Sequence, residues 1–314
     1  MIHFHNGDIV ASLARRAGIA GRHVPFHESM VGGHVPASMP RHESVEVRAA
    51  FLAETHGHNL LRVRNELLEQ EALIDAAGDD EEIVLWFEHD LFCTIHLLYL
   101  LVRLKRAHRL SLVWCPKALG LQTVEEIFQL YHSRAEVSPA MSLAGAEAWS
   151  AYTAEDPTAL NRFLTADRPD FPFLRQAMQL HASRFPSVRN GLGEVERRAM
   201  EGIETGAADF VTLFGRFDAD PPRFGFGDSE FLRHLRHLAE CAVPMITMIG
   251  EPPQKTLFTV TPAGRNVLEG KVDFLALNGS GAGFWLGGAH LTRERMWRWD
   301  GDTRQIVASP PASS

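Results

Sequence analysis

Between Ile83 and Cys115 the chain reads IVLWFEHDLFCTIHLLYLLVRLKRAHRLSLVWC, and no other stretch restricts the fold as strongly. Ile83 to Phe87 is an unbroken apolar run with two β-branched residues, the pattern of a parallel strand covered on both faces. The charged turn Glu88-His89-Asp90 follows. Leu91 to Leu104 is apolar nearly all round, as a helix packed between layers must be. His96 and Arg103 interrupt it, and it falls short of the roughly 20 residues that a membrane span requires. Leu110 to Cys115 is a second buried strand. The unit is therefore β-α-β, and its polar turn is the natural place for a ligand.

The flanks extend the same alternation. Ile2 to His5 reads as a strand, Asn6-Gly7-Asp8 as a turn, and Ile9 to Ala17 as a helix with Asp8 as its N-cap and Gly18 as its stop. His23 to His27 reads as another strand, leading into a Gly- and Pro-rich loop over residues 28–36. Val45 to Ala76 has the period of a long amphipathic helix broken at Gly57, and Val124 to Tyr131 that of a further helix. Strands alternating with helices at this spacing predict an α/β fold with a parallel sheet and right-handed crossovers. That domain is expected over residues 1–117, with a helical bridge over 118–184.

From Phe185 the rhythm changes. Glu194 to Glu204, Ala208 to Phe217 and Asp228 to Glu240 read as helices, the last with Asp228 as N-cap. Met245 to Ile249 and Thr256 to Thr261 read as strands around the turn Glu251-Pro252-Pro253-Gln254, and Pro262 to Leu268 as a short helix. This is the element order of a winged helix, expected over 185–273. WLGGAHL (Trp285 to Leu291) and MWRWD (Met296 to Asp300) are expected to form a closing hairpin over 274–314, with a disordered tail from Ser309.

Composition bounds the function. A chain of 314 residues implies two or three domains, and 45% hydrophobic against 22% charged residues suits packed cores. The formal charge of −8 argues against a broad nucleic-acid or acidic-membrane surface. Cys93, Cys115 and Cys241 form no CxxC motif, so a reducing compartment without a disulfide framework is expected. MIHFHNGD has neither a basic n-region nor an apolar h-region, which makes a cytoplasmic location the expectation. Phe185 to Lys271 holds ten Lys/Arg against twelve Asp/Glu, and the third helix of that region two arginines against three acids. Because phosphate contacts dominate DNA affinity, such a module is a poor DNA reader.

In open parallel sheets, ligands sit beyond the carboxyl ends of the strands, where the strand order reverses. Those ends carry Asn6-Gly7-Asp8, His27-Glu28, Glu88-His89-Asp90 and Cys115-Pro116. The carboxylates converging there can bind a divalent metal, hold a ribose through its hydroxyls, or supply an acid/base pair. Helix capping accounts equally well for Asp8 and Asp90. Asn6-Gly7-Asp8 before a helix offers amides to an anion, but it is neither a GxGxxG nor a Walker loop. Arg48, after the glycine loop, is a candidate anion clamp or a solvated surface charge. His3 and His5 share one face of the first strand, as hydrogen-bonded core residues or as metal ligands. Arg189-Asn190 reads as a turn into a helix or as part of a site. His290 either reaches a site or finishes a strand.

HxxNGD (His3 to Asp8), the glycine loop after His27-Glu28, LWFEHDLF (Leu85 to Phe92), FPSxRNGL (Phe185 to Leu192) and LNG with WLGGAHL together resemble the bacterial proteins that carry the DUF1835 domain. The likeness spans nearly the whole chain. It implies an N-terminal Rossmann-like domain and a C-terminal helical or winged part, and it implies no particular activity. Cys93-Thr94 stands where an Asp-Gln pair is expected, and Ile9 where relatives often carry Ser.

The expectation is thus an enzyme, a hydrolase or transferase acting on a phosphorylated or nucleotide-like small molecule. His89 is its candidate acid/base, with Glu88 and Asp90 beside it, and Asn6, Gly7, Asp8, Glu28, Arg48, Arg189, Asn190 and His290 are candidates for binding. The ligand is expected to be anionic. A cofactor is left open, a divalent metal being one option, as is the oligomeric state. The alternative is a non-catalytic sensor whose winged helix relays an effector to protein or DNA.

Overall fold

Seven consecutive residues, Glu82–Glu88, are all buried, and the first sheet is built outward from them. The computed structural model describes residues 1–37, 39–77, 82–107, 109–166, 169, 171–251, 255–281 and 283–309. The expected turn at Glu251-Pro252-Pro253-Gln254 and the expected disordered tail fall largely outside those residues. In chain order the first elements are β1 (Ile2–His5), α1 (Asp8–Arg16), β2 (Arg22–Pro25), α2 (Arg41–His56), α3 (Leu60–Asp75), β3 (Glu82–Glu88), α4 (Leu91–Arg103) and β4 (Arg109–Cys115). A 3₁₀ turn at Leu119–Leu121 precedes α5 (Val124–His132), β5 (Ala135–Glu136) and α6 (Pro139–Tyr152). Then come α7 (Ala159–Thr165), α8 (Leu174–Ala182), α9 (Glu194–Glu204), α10 (Phe210–Phe217), α11 (Asp228–Glu240), β6 (Ile246–Ile249), β7 (Leu257–Val260), α12 (Pro262–Leu268) and α13 (Phe274–Asn278). β8 (Phe284–Leu286), β9 (Ala289–Leu291), β10 (Met296–Asp300) and β11 (Gln305–Ser309) end the described chain.

The protein is α/β, with thirteen α-helices among the described residues and a five-stranded, mostly parallel sheet of order β2-β1-β3-β4-β5. β2, β1, β3 and β4 run parallel, and β5 pairs antiparallel with β4. Alternation along a strand sends successive side chains to opposite faces. Val84 and Trp86 of β3, with Val113 and Cys115 of β4, pack under Val10 and Ala14 of α1 and Ile127 of α5. Ile83, Leu85 and Phe87 are buried on the other face, and α4 packs against β3. Each such side chain contributes roughly 1.5–3 kcal/mol by leaving water.

The long helical period over 45–76 breaks where expected. Gly57 ends α2 in a left-handed conformation (φ 66°) that a glycine adopts without a Cβ penalty, and Asn59 starts α3 by accepting from the Arg62 N–H at 3.1 Å. Val45, Ala49, Leu52, Val63 and Leu67 form the seam of this helical hairpin.

Five local expectations need correction. Gly7, not Asp8, stands at the N-cap of α1, and Asp8 is already helical. Gly227 likewise caps α11, leaving Asp228 in the first turn, where the helix dipole favours a carboxylate without a capping bond. β2 stops at Pro25, so His27 lies beyond the strand. Trp285–Leu291 and Met296–Asp300 do not pair with one another. β8 pairs with β9 through Gly287-Gly288, and β10 pairs with β11, because each segment has its own tight turn. The stretch expected as a helical bridge also contributes β5, two residues too short to leave a pattern in sequence.

The chain forms two compact units. One contains Met1–Val31, Ala37–Ala151 and Asp167–Ala177, and hence the five-stranded sheet. The other contains Gly32–Pro36, Tyr152–Ala166 and Met178–Ser314. In the second, α9, α10 and α11 surround buried Phe210, Phe217, Phe224 and Phe231, and β6 and β7 form an antiparallel pair. Asp209 bridges to Leu257 of β7 just before α10. No described helix is long and apolar enough to cross a membrane.

Candidate ligand site at the carboxyl edge of the sheet

β1 lies between β2 and β3, so the chain moves from β1 to one side, then crosses back over β1 to reach β3. The direction of winding reverses between β1 and β3. Asn6-Gly7-Asp8 leaves the end of β1, and Glu88-His89-Asp90 leaves the end of β3, so the two sequence motifs flank that reversal. Asn6 ties the edges together by donating its N–H to the Trp86 carbonyl at 3.1 Å.

Gly7 adopts φ 94°, a conformation that disfavours any side chain, and the space where a Cβ would stand is open. No side chain caps α1. Its first-turn N–H groups and the positive end of its dipole are thus left without a side-chain cap. Asp8 is turned away from this role. Its Oδ2 lies 2.8 Å from Nε2 of His27, both side chains being exposed.

The opposite side of the reversal is negative and more enclosed. Asp90 caps α4, its Oδ1 accepting from the Cys93 N–H at 2.7 Å. Glu88 Oε1 accepts from the Leu119 N–H at 3.0 Å, and the Glu88 carbonyl accepts from Trp114 Nε1 at 2.9 Å. Glu88, Asp90 and Cys93 each offer a ligand atom within 4.8 Å of the others. Burial pushes the Cys93 thiol well above its ordinary range, and the charges of Asp90 and Glu88 push it the same way. A cation bound among these groups would reverse that bias, and one sulfur with two carboxylates suits zinc better than magnesium.

His89 is half-buried. Its ring stacks on Phe173 at 3.6 Å between centroids and meets Trp114 edge-on at 4.7 Å, while its N–H donates to the Cys115 carbonyl at 3.0 Å. The imidazole is thus oriented by aromatic walls, a feature that sequence reading missed. Phe173 is 84 positions away from His89 in the chain, and Phe171-Pro172-Phe173 carries no pattern that announces a wall.

Glu28 and Arg48 do come together, but as a buried ion pair. Nη2 of Arg48 donates to Glu28 Oε1 at 2.7 Å and to the Ser29 carbonyl at 2.9 Å. Both side chains are nearly inaccessible, 2% exposed for Glu28 and 4% for Arg48. Behind them, the Met30 N–H donates to Nε2 of His96 at 3.2 Å. Burial drives the His96 pKa down to about 3, with the Arg48 charge adding to the shift.

The remaining candidates lie in the second unit. Asn190 is buried, its Nδ2 donating to the Val267 carbonyl and its Oδ1 accepting from the Leu192 N–H, so both polar atoms hold backbone. Arg189 is exposed beside Gly270. His290 stacks on Trp285 at 4.3 Å, and His34 of the glycine loop stacks on the same indole at 3.8 Å.

No protein-family model matches the chain, and no curated protein matches it.

Proposed function

We propose that the protein is an enzyme, a hydrolase or transferase, acting on a phosphorylated or nucleotide-like small molecule at the carboxyl edge of a Rossmann-like sheet. One observation carries this reading. The open, uncapped N-terminus of α1 and the acidic group at the start of α4 stand on either side of the β1/β3 reversal. A ligand with an anionic group and hydroxyls matches that polarity. Its phosphate would sit on the α1 amides at Gly7, and its hydroxyls or an associated divalent cation on Glu88 and Asp90. His89, next to Glu88 and Asp90 and held by Phe173 and Trp114, would serve as acid/base. The DUF1835 likeness of the two loop motifs agrees with a shared site but supplies no reaction.

The sensor reading rests on a different observation. The order α9-α10-α11-β6-β7, with the Asp209–Leu257 bridge, is that of a winged helix. On α11, buried Glu230 pairs with Arg233 at 2.6 Å, so one of the two arginines of this helix is held in an ion pair within the helix. This favours a protein contact over DNA for that module.

Native mass spectrometry of the purified full-length chain, followed by calorimetric titration with ribose 5-phosphate and nucleoside monophosphates, tests the proposal. A co-purifying phosphorylated compound, or binding that Gly7→Val abolishes, supports it. Binding unaffected by Gly7→Val and by Asp90→Asn would overturn the site, and bound ligand without turnover would favour the sensor.

A further inference from the structure

A second polar cluster lies on one face of the sheet, across β1 and β2. His3 and His5 point to the same side of β1, and His23 stands directly opposite His3 on β2. The three rings stack, at 4.5 Å for His3 and His23, 5.0 Å for His5 and His23, and 5.9 Å for His3 and His5. His3 and His5 are wholly buried, and His23 is half-buried, giving the cluster an opening to solvent.

The hydrogen bonds assign the protons. Trp86 Nε1 donates to Nδ1 of His3 at 3.2 Å, so His3 carries its proton on Nε2 and donates it to the Ala20 carbonyl at 3.1 Å. Nε2 of His23 donates to the Ile19 carbonyl at 2.9 Å. Nδ1 of His23 is then a bare acceptor, facing Nε2 of His5 at 2.8 Å. All three rings are neutral in this network. Nδ1 of His5 is buried with no hydrogen-bond partner.

We propose that His3, His5 and His23 form a binding site for a zinc-class divalent ion. Each ring offers a nitrogen within 4.8 Å of the other two, and the shortest such separation is 2.8 Å. Those separations bracket the spacing of about 3.4 Å that nitrogens adopt around a tetrahedral zinc at about 2.1 Å. Metal-binding imidazoles characteristically donate their far N–H to a backbone carbonyl, which fixes ring and tautomer. Ile19 already does this for His23, and Ala20 for His3, from the loop between α1 and β2. For His5 to bind through Nε2, its proton must move to Nδ1. Because Nδ1 makes no hydrogen bond, that move gives up only the His5–His23 hydrogen bond, which the metal replaces. Three neutral nitrogens without a carboxylate suit zinc, nickel or copper and not calcium or magnesium, and three protein ligands leave a fourth position for water or an anion. The site lies on one face of the sheet, with His5 two residues from Gly7, and zinc binding there is read without reference to the carboxyl-edge ligand.

The test is zinc titration of the full-length protein after dialysis against a chelator, read by calorimetry and by the visible spectrum with Co²⁺. The half-exposed His23 is the position to change, since it leaves the buried pair intact. His23→Gln is expected to weaken zinc at least tenfold and to remove the tetrahedral cobalt bands. The double variant His56→Gln/His58→Gln, on a half-buried and an exposed histidine flanking Gly57, controls for incidental histidine binding and is expected to leave both unchanged. Equal zinc affinity in wild type and His23→Gln overturns the proposal, and so does loss of binding in the His56/His58 control alone. If His23→Gln fails to fold, His3→Gln and Trp86→Phe provide the same comparison. Trp86→Phe, by freeing Nδ1 of His3, is expected to strengthen zinc, and a weaker or unchanged affinity there also counts against the site.

Discussion

The carboxylate of Asp8 lies 2.8 Å from Nε2 of His27, a pairing that spends Asp8 on the neighbouring strand's loop and leaves α1 without a side-chain cap. Two aspartates that look alike in sequence, each in a charged turn before a helix, therefore do different things. Asp90 caps its helix, and Asp8 does not. Asp8→Ala is expected to change unfolding free energy by no more than about 0.5 kcal/mol, since its side chain is 76% exposed. Asp90→Ala is expected to cost about 1–2 kcal/mol through loss of the cap. Urea denaturation of the two variants decides the matter, and equal losses would show that the capping assignment is wrong.

The Glu28–Arg48 pair leads to a second expectation. Taking away the Glu28 carboxylate leaves a guanidinium in a site closed to water, which typically costs about 3–5 kcal/mol. Glu28→Leu should therefore be severely destabilising, whereas Glu28→Leu with Arg48→Met should recover most of the loss. A double variant no more stable than the single one would mean that Arg48 is held chiefly by its other contacts, such as the Ser29 carbonyl.

The sequence exposed the framework better than the chemistry. β3 and α4 are legible because burial on both faces writes an unbroken apolar run, and Gly57 marks its helix end because only glycine adopts that conformation cheaply. Gly7 stands out for the same reason. What the sequence could not show is which partner wins a polar side chain. Asp8 could cap α1 or reach His27, and Arg48 could face solvent or Glu28. Those choices depend on residues 19 and 20 positions apart, brought together only by strand order. His23 is the clearest case: as one residue in a short strand it carries no signal, and only its register opposite His3 makes it the third member of a cluster. The pairing of β8 with β9 and β10 with β11 was hidden because four short segments of similar character allow more than one pairing.

Acid sensitivity follows from His96. Its folded pKa is about 3, below the 6.5 of an unfolded chain, so the unfolded state binds the proton more readily. The stability that neutral His96 provides is complete above pH 6.5 and is lost as the pH falls toward 3. From pH 7 to pH 5 that single group accounts for about 2 kcal/mol. Glu196, held down to about 2 chiefly by the charge of His234, acts in the same direction at lower pH: its contribution is present above 4.5 and lost as the pH falls toward 2. His96→Gln should retain less stability at pH 7 but show a shallower decline to pH 5 than the wild type. Parallel declines, measured by denaturant midpoints at matched ionic strength, would remove His96 as the source.

The last expectation concerns His89, where stability and function can be separated by choice of substitute. The ring is packed against Phe173 and Trp114, so cutting it back to a methyl group removes aromatic contacts worth about 0.5–1.5 kcal/mol each. A loss of function in His89→Ala would therefore be ambiguous, because the wall around the site would loosen at the same time. His89→Phe keeps a ring of similar shape on the same two partners and deletes both nitrogens. If the imidazole serves as acid/base, His89→Phe should melt within a few degrees of the wild type, bind ligand with little change and lose turnover by at least a hundredfold, the lower range for a general acid or base. If the imidazole instead binds ligand directly, affinity and turnover should fall together. If His89→Phe matches the wild type in binding and turnover, the ring is only a wall of the site, and the chemistry must be sought in Glu88 and Asp90.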